Sequence, residues 1–183
     1  MVQAFDIDKY TPTKKDEFLF DTNVLVFLYN SLNPDINDER IGKYCNFLNK
    51  IINAGSKIYI TSLNLAEFAN VLLKIECGIK KCFYPKGSNI KKQFRESGDY
   101  NNALQAIKPI IKSIIRDFEK ISDCFDELNI EDMSDNLSID FNDEYFNYFC
   151  NHKELKLVTD DYDYASLNSP LIILSANQKY FKK

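Results

Sequence analysis

Four acidic residues stand where an α/β chain most readily builds a reactive site. Asp21 follows the apolar run at residues 18–20, Glu67 lies near the start of a helical stretch, Asp143 opens a later one, and Asp161 follows the segment at residues 156–159. In an open parallel sheet the ligand site lies beyond the carboxyl ends of the strands, so all four are expected to face one crevice. Carboxylates gathered there repel one another, and they hold protons or disrupt the fold unless a cation neutralises them. Hard oxygen donors without imidazole or thiolate select Mg2+ or Mn2+, which keep several waters and accept phosphate oxygens. Such a site suits phosphodiester hydrolysis, in which bound water becomes hydroxide and charge on the phosphate is steadied.

Composition narrows the alternatives. The chain has 183 residues, 45% apolar and 27% charged, which predicts one domain with a self-sufficient core. A single histidine, His152, argues against a Cys/His zinc site or a Ser-His-Asp triad, and its place near a helix end predicts a surface or capping role. Five cysteines (Cys45, Cys77, Cys82, Cys124 and Cys150) form no Cys-x-x-Cys pair and are expected to be reduced core thiols. The net charge of -4 repels polyanions, so a nucleic-acid partner needs a local basic surface or bridging cations. No apolar run reaches the roughly 20 residues needed to cross a bilayer, and the N-terminus carries no apolar signal core, which predicts a cytoplasmic protein with no membrane partner.

The elements that must position the acids alternate. A strand ends before Asp21 and a helix follows; a second helix spans residues 38–53 with Gly55 as its stop; Lys57 to Ile60 is a strand, and a third helix begins near Asn64. Strand, helix, strand, helix is the pattern of a parallel sheet covered on both faces. Cys77 to Tyr100 reads as an inserted loop or hairpin tip with a basic tract, and Leu104 to Phe125 as one long helix with a heptad stripe, kinked or begun at Pro109. The heptad stripe is expected in the core, with dimerisation or partner docking as its second use. A helix from about Asp143 to His152 and strands at residues 157–158 and 171–174 close the chain. A charged stretch at residues 126–140 leaves room for one more strand.

Four patches together resemble the PIN-domain ribonucleases, most closely VapC-type toxins: FDTNVLV, TSLNLAEFANVLLK, FNDEYFNYF and KLVTDDYDY. They match an Asp-Thr/Ser-Asn triplet ending the first strand (Asp21, Thr22, Asn23), a helix-opening Glu (Glu67), an Asp opening a late helix (Asp143) and a Thr-x-Asp after the next strand (Thr159, Asp161). Their order and intervals are more specific than any one patch. The resemblance implies a single three-layer α/β PIN-like domain over residues 18–183, with a short parallel sheet of about four to five strands. An inserted helical hairpin at about residues 77–130 and a loosely packed N-terminal extension, residues 1–17, lie outside the resemblance.

By that resemblance the protein is a divalent-metal-dependent endoribonuclease, the toxin of a toxin-antitoxin pair, with RNA as substrate, an antitoxin protein and a second copy of itself as partners, and 5'-phosphate and 3'-hydroxyl products. Asp21, Asp143, Asp161 and Glu67 would serve as catalytic metal ligands, Asn23 and Thr159 as groups that hold them, and Asp163 as a reserve acid; Asp160 and Asp163 compete with Asp161 for the ligand role. Lys80, Lys81, Lys91, Lys92 and Arg95 would grip RNA phosphate, or else form an ordinary solvated loop. Plainer roles exist for the acids too: Asn64-x-x-Glu67 fits a capping box, and Asp143 sits where a helix macrodipole favours an acid. The alternatives are a silent PIN scaffold that binds RNA or protein, or another metal phosphohydrolase. A haloacid-dehalogenase-like enzyme wants Asp-x-Asp after its first strand, where this chain has Asn23.

Overall fold

The computed structural model describes residues 1–29, 39–84 and 89–182. Pro85, Gly87 and the expected helix start at Asp38 lie outside them, as does the side chain of Cys82. The elements run β1 (Gln3–Asp6), β2 (Glu17–Phe20), α1 (Thr22–Tyr29), α2 (Glu39–Ala54), β3 (Lys57–Ile60), α3 (Ser62–Lys80), α4 (Ile90–Glu96), α5 (Gly98–Asp117), β4 (Glu119–Lys120), α6 (Ile130–Asp135), α7 (Phe141–His152), β5 (Lys156–Val158) and β6 (Ile172–Ser175). Six strands form one sheet in the order β1-β6-β5-β2-β3-β4, and every neighbouring pair is parallel.

Side chains alternate across this sheet and so divide the interior into two cores. Phe18 and Phe20 of β2, Ile58 and Ile60 of β3, Val158 of β5 and Leu174 of β6 face one core, completed by Tyr44, Phe47, Phe68, Ile107 and Ile114 from the helices α2, α3 and α5. Leu19, Leu157 and Ile173, their immediate chain neighbours, face the other, which is completed by Met133 of α6 and by Tyr145, Phe146, Phe149 and Cys150 of α7. Burying each large apolar side chain stabilises the fold by about 1.5–3 kcal/mol. The result is the expected three-layer α/β arrangement.

The sheet has six strands where about four to five were expected, and the two that the sequence did not mark, β1 and β4, were hidden for physical reasons. Residues 1–17 are not a loose extension: β1 pairs with β6 from Gln3 to Asp6, and Ile7 beyond it is 1% exposed in the first core. Four residues at a sheet edge, with polar Gln3 and Asp6 at the ends, carry too short a pattern to read as a strand. The other, β4, has two residues, both exposed, so backbone pairing alone defines it. The stretch at residues 126–140 holds α6 rather than a strand.

The helix of the heptad stripe also ends earlier than expected. It runs through Pro109 from Gly98 to Asp117, so Pro109 is not its start. Ile107 and Ile114 enter the first core, Phe118 follows them from beyond the helix, Ile121 packs on the second core, and Phe125 is 59% exposed beside Tyr145. Gly55 closes α2 with φ of 68°, a left-handed conformation natural to glycine. Cys45, Cys77, Cys124 and Cys150 are free thiols, of which Cys124 and Cys150 are buried. Among the described residues no helix is long and apolar enough to cross a membrane.

The placement of Ile7 yields a direct test of the edge strand. Ile7→Ala should destabilise the protein by about 2–4 kcal/mol in urea unfolding; a loss below about 0.5 kcal/mol, typical of surface changes, would mean that the first residues do not belong to the core.

Candidate functional site

The sheet creates a switch point between β2 and β5. From β2 the chain moves outward through β3 to β4, whereas from β5 it moves to β6 on the opposite side, so the loops leaving these adjacent strands diverge and open a crevice. Register then fixes what enters it. Phe20 pairs with Val158, so the next residues, Asp21 and Thr159, emerge side by side. The Asp21 amide donates to the Val158 carbonyl at 2.9 Å, and Thr159 Oγ1 donates to Asp21 Oδ2 at 2.6 Å. Both residues are buried.

Asn23 links the two loops. Its amide nitrogen donates to Asp21 Oδ2 at 2.8 Å and to Thr159 Oγ1 at 3.2 Å, while its Oδ1 accepts from the Asp160 amide at 3.1 Å. Donor and acceptor ends are both used, which fixes the orientation of the amide.

Glu67 does not cap its helix. Thr61 is the N-cap of α3: its hydroxyl accepts from the Asn64 amide at 3.1 Å, and Asn64 Oδ1 accepts from the Thr61 amide at 3.3 Å. The capping box therefore lies one turn earlier than Asn64-x-x-Glu67. Glu67 is free to face the crevice, where Thr22 Oγ1 donates to Oε2 at 2.8 Å and Asn142 Nδ2 to Oε1 at 3.4 Å. Asp143 lies in the first turn of α7, whose N-cap is Asp140, and accepts from the Tyr164 hydroxyl at 2.9 Å.

The cluster after β5 separates into distinct roles. Asp160 is engaged elsewhere, in an ion pair with Arg40 at 2.7 Å and a hydrogen bond from the Tyr44 hydroxyl at 3.0 Å. Asp161 donates its amide to Thr159 Oγ1 and accepts from the Asp163 amide at 2.9 Å, while Asp163 itself is exposed.

Charge binds these positions together. Burial pushes the Asp21 carboxyl up to about 7; the Thr159 hydrogen bond opposes this, and the charges of Asp143 and Glu67 add to it. Asp143 is pushed up to about 6, again by burial first, with Tyr164 opposing and Asp161, Asp140 and Glu67 adding. Among the described residues no lysine or arginine forms an ion pair with Asp21, Glu67, Asp143 or Asp161. The partners are neutral hydroxyls and amides throughout. The four acids share one electrostatic neighbourhood without closing into a cage: among the described residues no three His, Cys, Asp or Glu side chains are grouped to enclose a metal ion.

The basic tract divides. Lys80 pairs with Asp99 at 3.6 Å and lies over the Phe83 ring, and Lys92 faces Glu96 at 3.9 Å. Lys81, Lys91 and Arg95 instead line a cavity of about 690 Å3 between α3, α4 and α5, together with Lys74, Phe94 and Tyr100. His152 is a surface residue bonded to Glu127 at 3.0 Å. Thr22, Asn142 and Tyr164, which hold Glu67 and Asp143, drew no role of their own from the sequence; all three lie inside the four patches, but which carboxylate each meets depends on tertiary packing.

The fold is that of a PIN/VapC-like domain. Among solved structures, the chain resembles VapBC2 from Rickettsia felis, bound to a DNA fragment from its promoter, with a TM-score of 0.53 and 16% identity over 86% of this chain and 98% of that one. It also resembles PAE2754 from Pyrobaculum aerophilum, with a TM-score of 0.51 and 16% identity over 93% and 96% of the two chains. No family model and no curated relative matches the sequence.

The raised carboxyls make stability depend on pH. Asp21 and Asp143 bind protons more tightly folded than unfolded, so without divalent ions stability should fall as pH rises from about 4 to about 7 and then level off. Asp21 accounts for on the order of 4 kcal/mol of that fall. Asp21→Asn should flatten the profile in urea unfolding across this range; an unchanged slope would show that Asp21 ionises in the folded protein as it does in water.

Proposed function

We propose that the protein is a divalent-metal-dependent endoribonuclease with Asp21, Glu67, Asp143 and Asp161 as its catalytic acids. The observation that carries this proposal is the coupling of four carboxylates at the switch point, two of them held well above their usual range, with no cationic side chain paired to them among the described residues. A hard cation would reverse both the desolvation and the repulsion. The donors fit Mg2+ or Mn2+ by type: all are oxygens, and such an ion keeps several waters and takes only one or two carboxylates directly. When bound, such an ion would supply hydroxide near neutral pH and neutralise charge on the scissile phosphate.

The chain's own groups prepare that site. Thr159 and Asn23 would aim Asp21, Tyr164 would aim Asp143, and Thr22 and Asn142 would hold Glu67 facing the crevice, each as a hydrogen-bonded support of a ligand. Asp163, which is exposed, is given no ligand role in this proposal. The cavity lined by Lys74, Lys81, Lys91 and Arg95 lies further along α3 than Glu67 and supplies positive charge for the RNA backbone. A role as a toxin with an antitoxin and a second copy as partners extends the same proposal; the Rickettsia neighbour, VapBC2, supports the antitoxin alone.

Purified protein should cut unstructured RNA with Mn2+ or Mg2+ and stop when chelator is added. Asp21→Asn and Asp143→Asn should each lower the rate more than about 100-fold, and Asn23→Ala or Thr159→Val about 10–100-fold, the range for groups that support a metal ligand. Cutting that survives both acid substitutions would place the activity elsewhere; RNA binding with no cutting under any metal would favour the silent scaffold.

Replacing Lys81, Lys91 and Arg95 together with alanine should weaken single-stranded RNA binding and reduce the slope of log affinity against log salt by about 2. A slope that stays the same would return these residues to the role of a solvated loop.

A further inference from the structure

A second feature borders the acids and is not used by phosphodiester chemistry. An open pocket of about 520 Å3 is lined by Ser138, Ile139, Tyr162, Asp163, Ala165 and Ser166. One wall is the turn leading into α7, which carries Asp143; the other is the loop immediately after Asp161. The pocket thus lies between the segments that deliver two of the four acids.

Two of its residues have functional groups to spare. Tyr162 keeps 42% of its surface exposed, while an edge contact with Tyr180 at 5.0 Å and the Lys179 ammonium at 5.9 Å hold its ring in place. Asp163 has its backbone fixed at both ends, the amide donating to Asp161 Oδ1 at 2.9 Å and the carbonyl accepting from Ser166 Oγ at 2.8 Å. Its carboxylate is exposed and makes no hydrogen bond or ion pair among the described residues. An exposed aromatic ring held by its neighbours, beside an unengaged carboxylate on a fixed backbone, offers a stacking surface and two adjacent acceptors.

We propose that this pocket binds a nucleobase of the RNA strand, guanine in preference to the others, with Tyr162 stacking on the base and Asp163 reading its Watson–Crick edge. Guanine alone presents a ring N–H and an amino N–H side by side on that edge, which match the two oxygens of one carboxylate; adenine and cytosine offer one amino group and uracil one ring N–H. Stacking on an aromatic ring supplies affinity, and the carboxylate supplies the choice. Ser138 and Ser166 add hydroxyls at the rim. The source of the base, an RNA strand crossing the acids, rests on the ribonuclease proposal; the chemistry of the pocket does not.

The test begins with nucleosides, which carry no phosphate to be repelled by the acids. In NMR titrations without divalent ions, guanosine should bind saturably and more tightly than adenosine, cytidine or uridine. Tyr162→Ala should weaken it about tenfold, Tyr162→Phe should retain it, and Asp163→Asn should erase the preference over adenosine. Equal binding of all four nucleosides, no saturable binding, or guanosine affinity unchanged in Tyr162→Ala would overturn the pocket. In cleavage assays Tyr162→Ala should raise KM for a guanosine-containing oligonucleotide about tenfold with little change in kcat; equal KM for oligonucleotides with and without guanosine would overturn the assignment to the strand. Guanosine binding without any RNA cleavage would sink the ribonuclease proposal and leave the pocket standing.

Discussion

The structure depends on gathering negative charge at the carboxyl end of a parallel sheet and holding it there with neutral donors. Any carboxylate taken out of water loses solvation, and the loss must be offset by hydrogen bonds, by counter-charge or by a proton. Here, among the described residues, no counter-charge is supplied: the offset is hydrogen bonding, from Thr159 and Asn23 at Asp21, Thr22 and Asn142 at Glu67 and Tyr164 at Asp143, together with the tighter hold on a proton shown by the raised Asp21 and Asp143 carboxyls. A hydroxyl or amide steadies a carboxylate without cancelling its charge. The cluster therefore keeps its negative potential, whereas a lysine in any of these places would have neutralised it.

That choice explains why so much of the architecture converges on two short strands. β2 and β5 contribute four and three residues, yet they set the register that brings Asp21 against Thr159. A shift of one residue would turn Phe18 and Phe20 toward the opposite core and carry Asp21 away from its partner. The two apolar cores thus enforce the geometry of the acids: Leu19 and Leu157 bind the sheet to α7 on one face, and Phe18, Phe20 and Val158 bind it to α2, α3 and α5 on the other. Asp160 belongs to this scaffold rather than to the site, because its pairing with Arg40 and Tyr44 anchors the loop from which Asp161 projects.

Much of this was legible in the sequence wherever a local pattern and a long-range constraint agreed. The strands before Asp21 and Thr159 are short apolar runs, and the helices at Glu67 and Asp143 have clear periodicity, so the order of elements followed. Glu67 was ambiguous because Asn64-x-x-Glu67 satisfies a local rule; Thr61 fills the cap one turn earlier, and only hydrogen-bond geometry distinguishes the two. The edge strands β1 and β4 escaped because their stability comes from pairing with neighbours remote in sequence rather than from their own residues. Thr22, Asn142 and Tyr164 are common residue types whose roles exist only once α1, α3, α7 and the loop after β5 have met.

The same separation of local and global effects bears on how a polyanion would approach. With a net charge of -4 and its densest acids at the crevice, the molecule offers no general attraction to RNA. Its local attraction lies along α3, which carries Glu67 near its start and Lys74 seven residues later on the same face, about 10 Å along the axis. Lys74 opens onto the cavity shared with Lys81, Lys91 and Arg95. One rigid helix therefore fixes the distance between the positive groove and the acidic crevice; under the ribonuclease proposal, a strand held by its phosphates in the first would present a defined bond to the second. Under that proposal affinity and chemistry would belong to different charges, and salt would weaken the grip on the strand while leaving the buried acids largely unscreened.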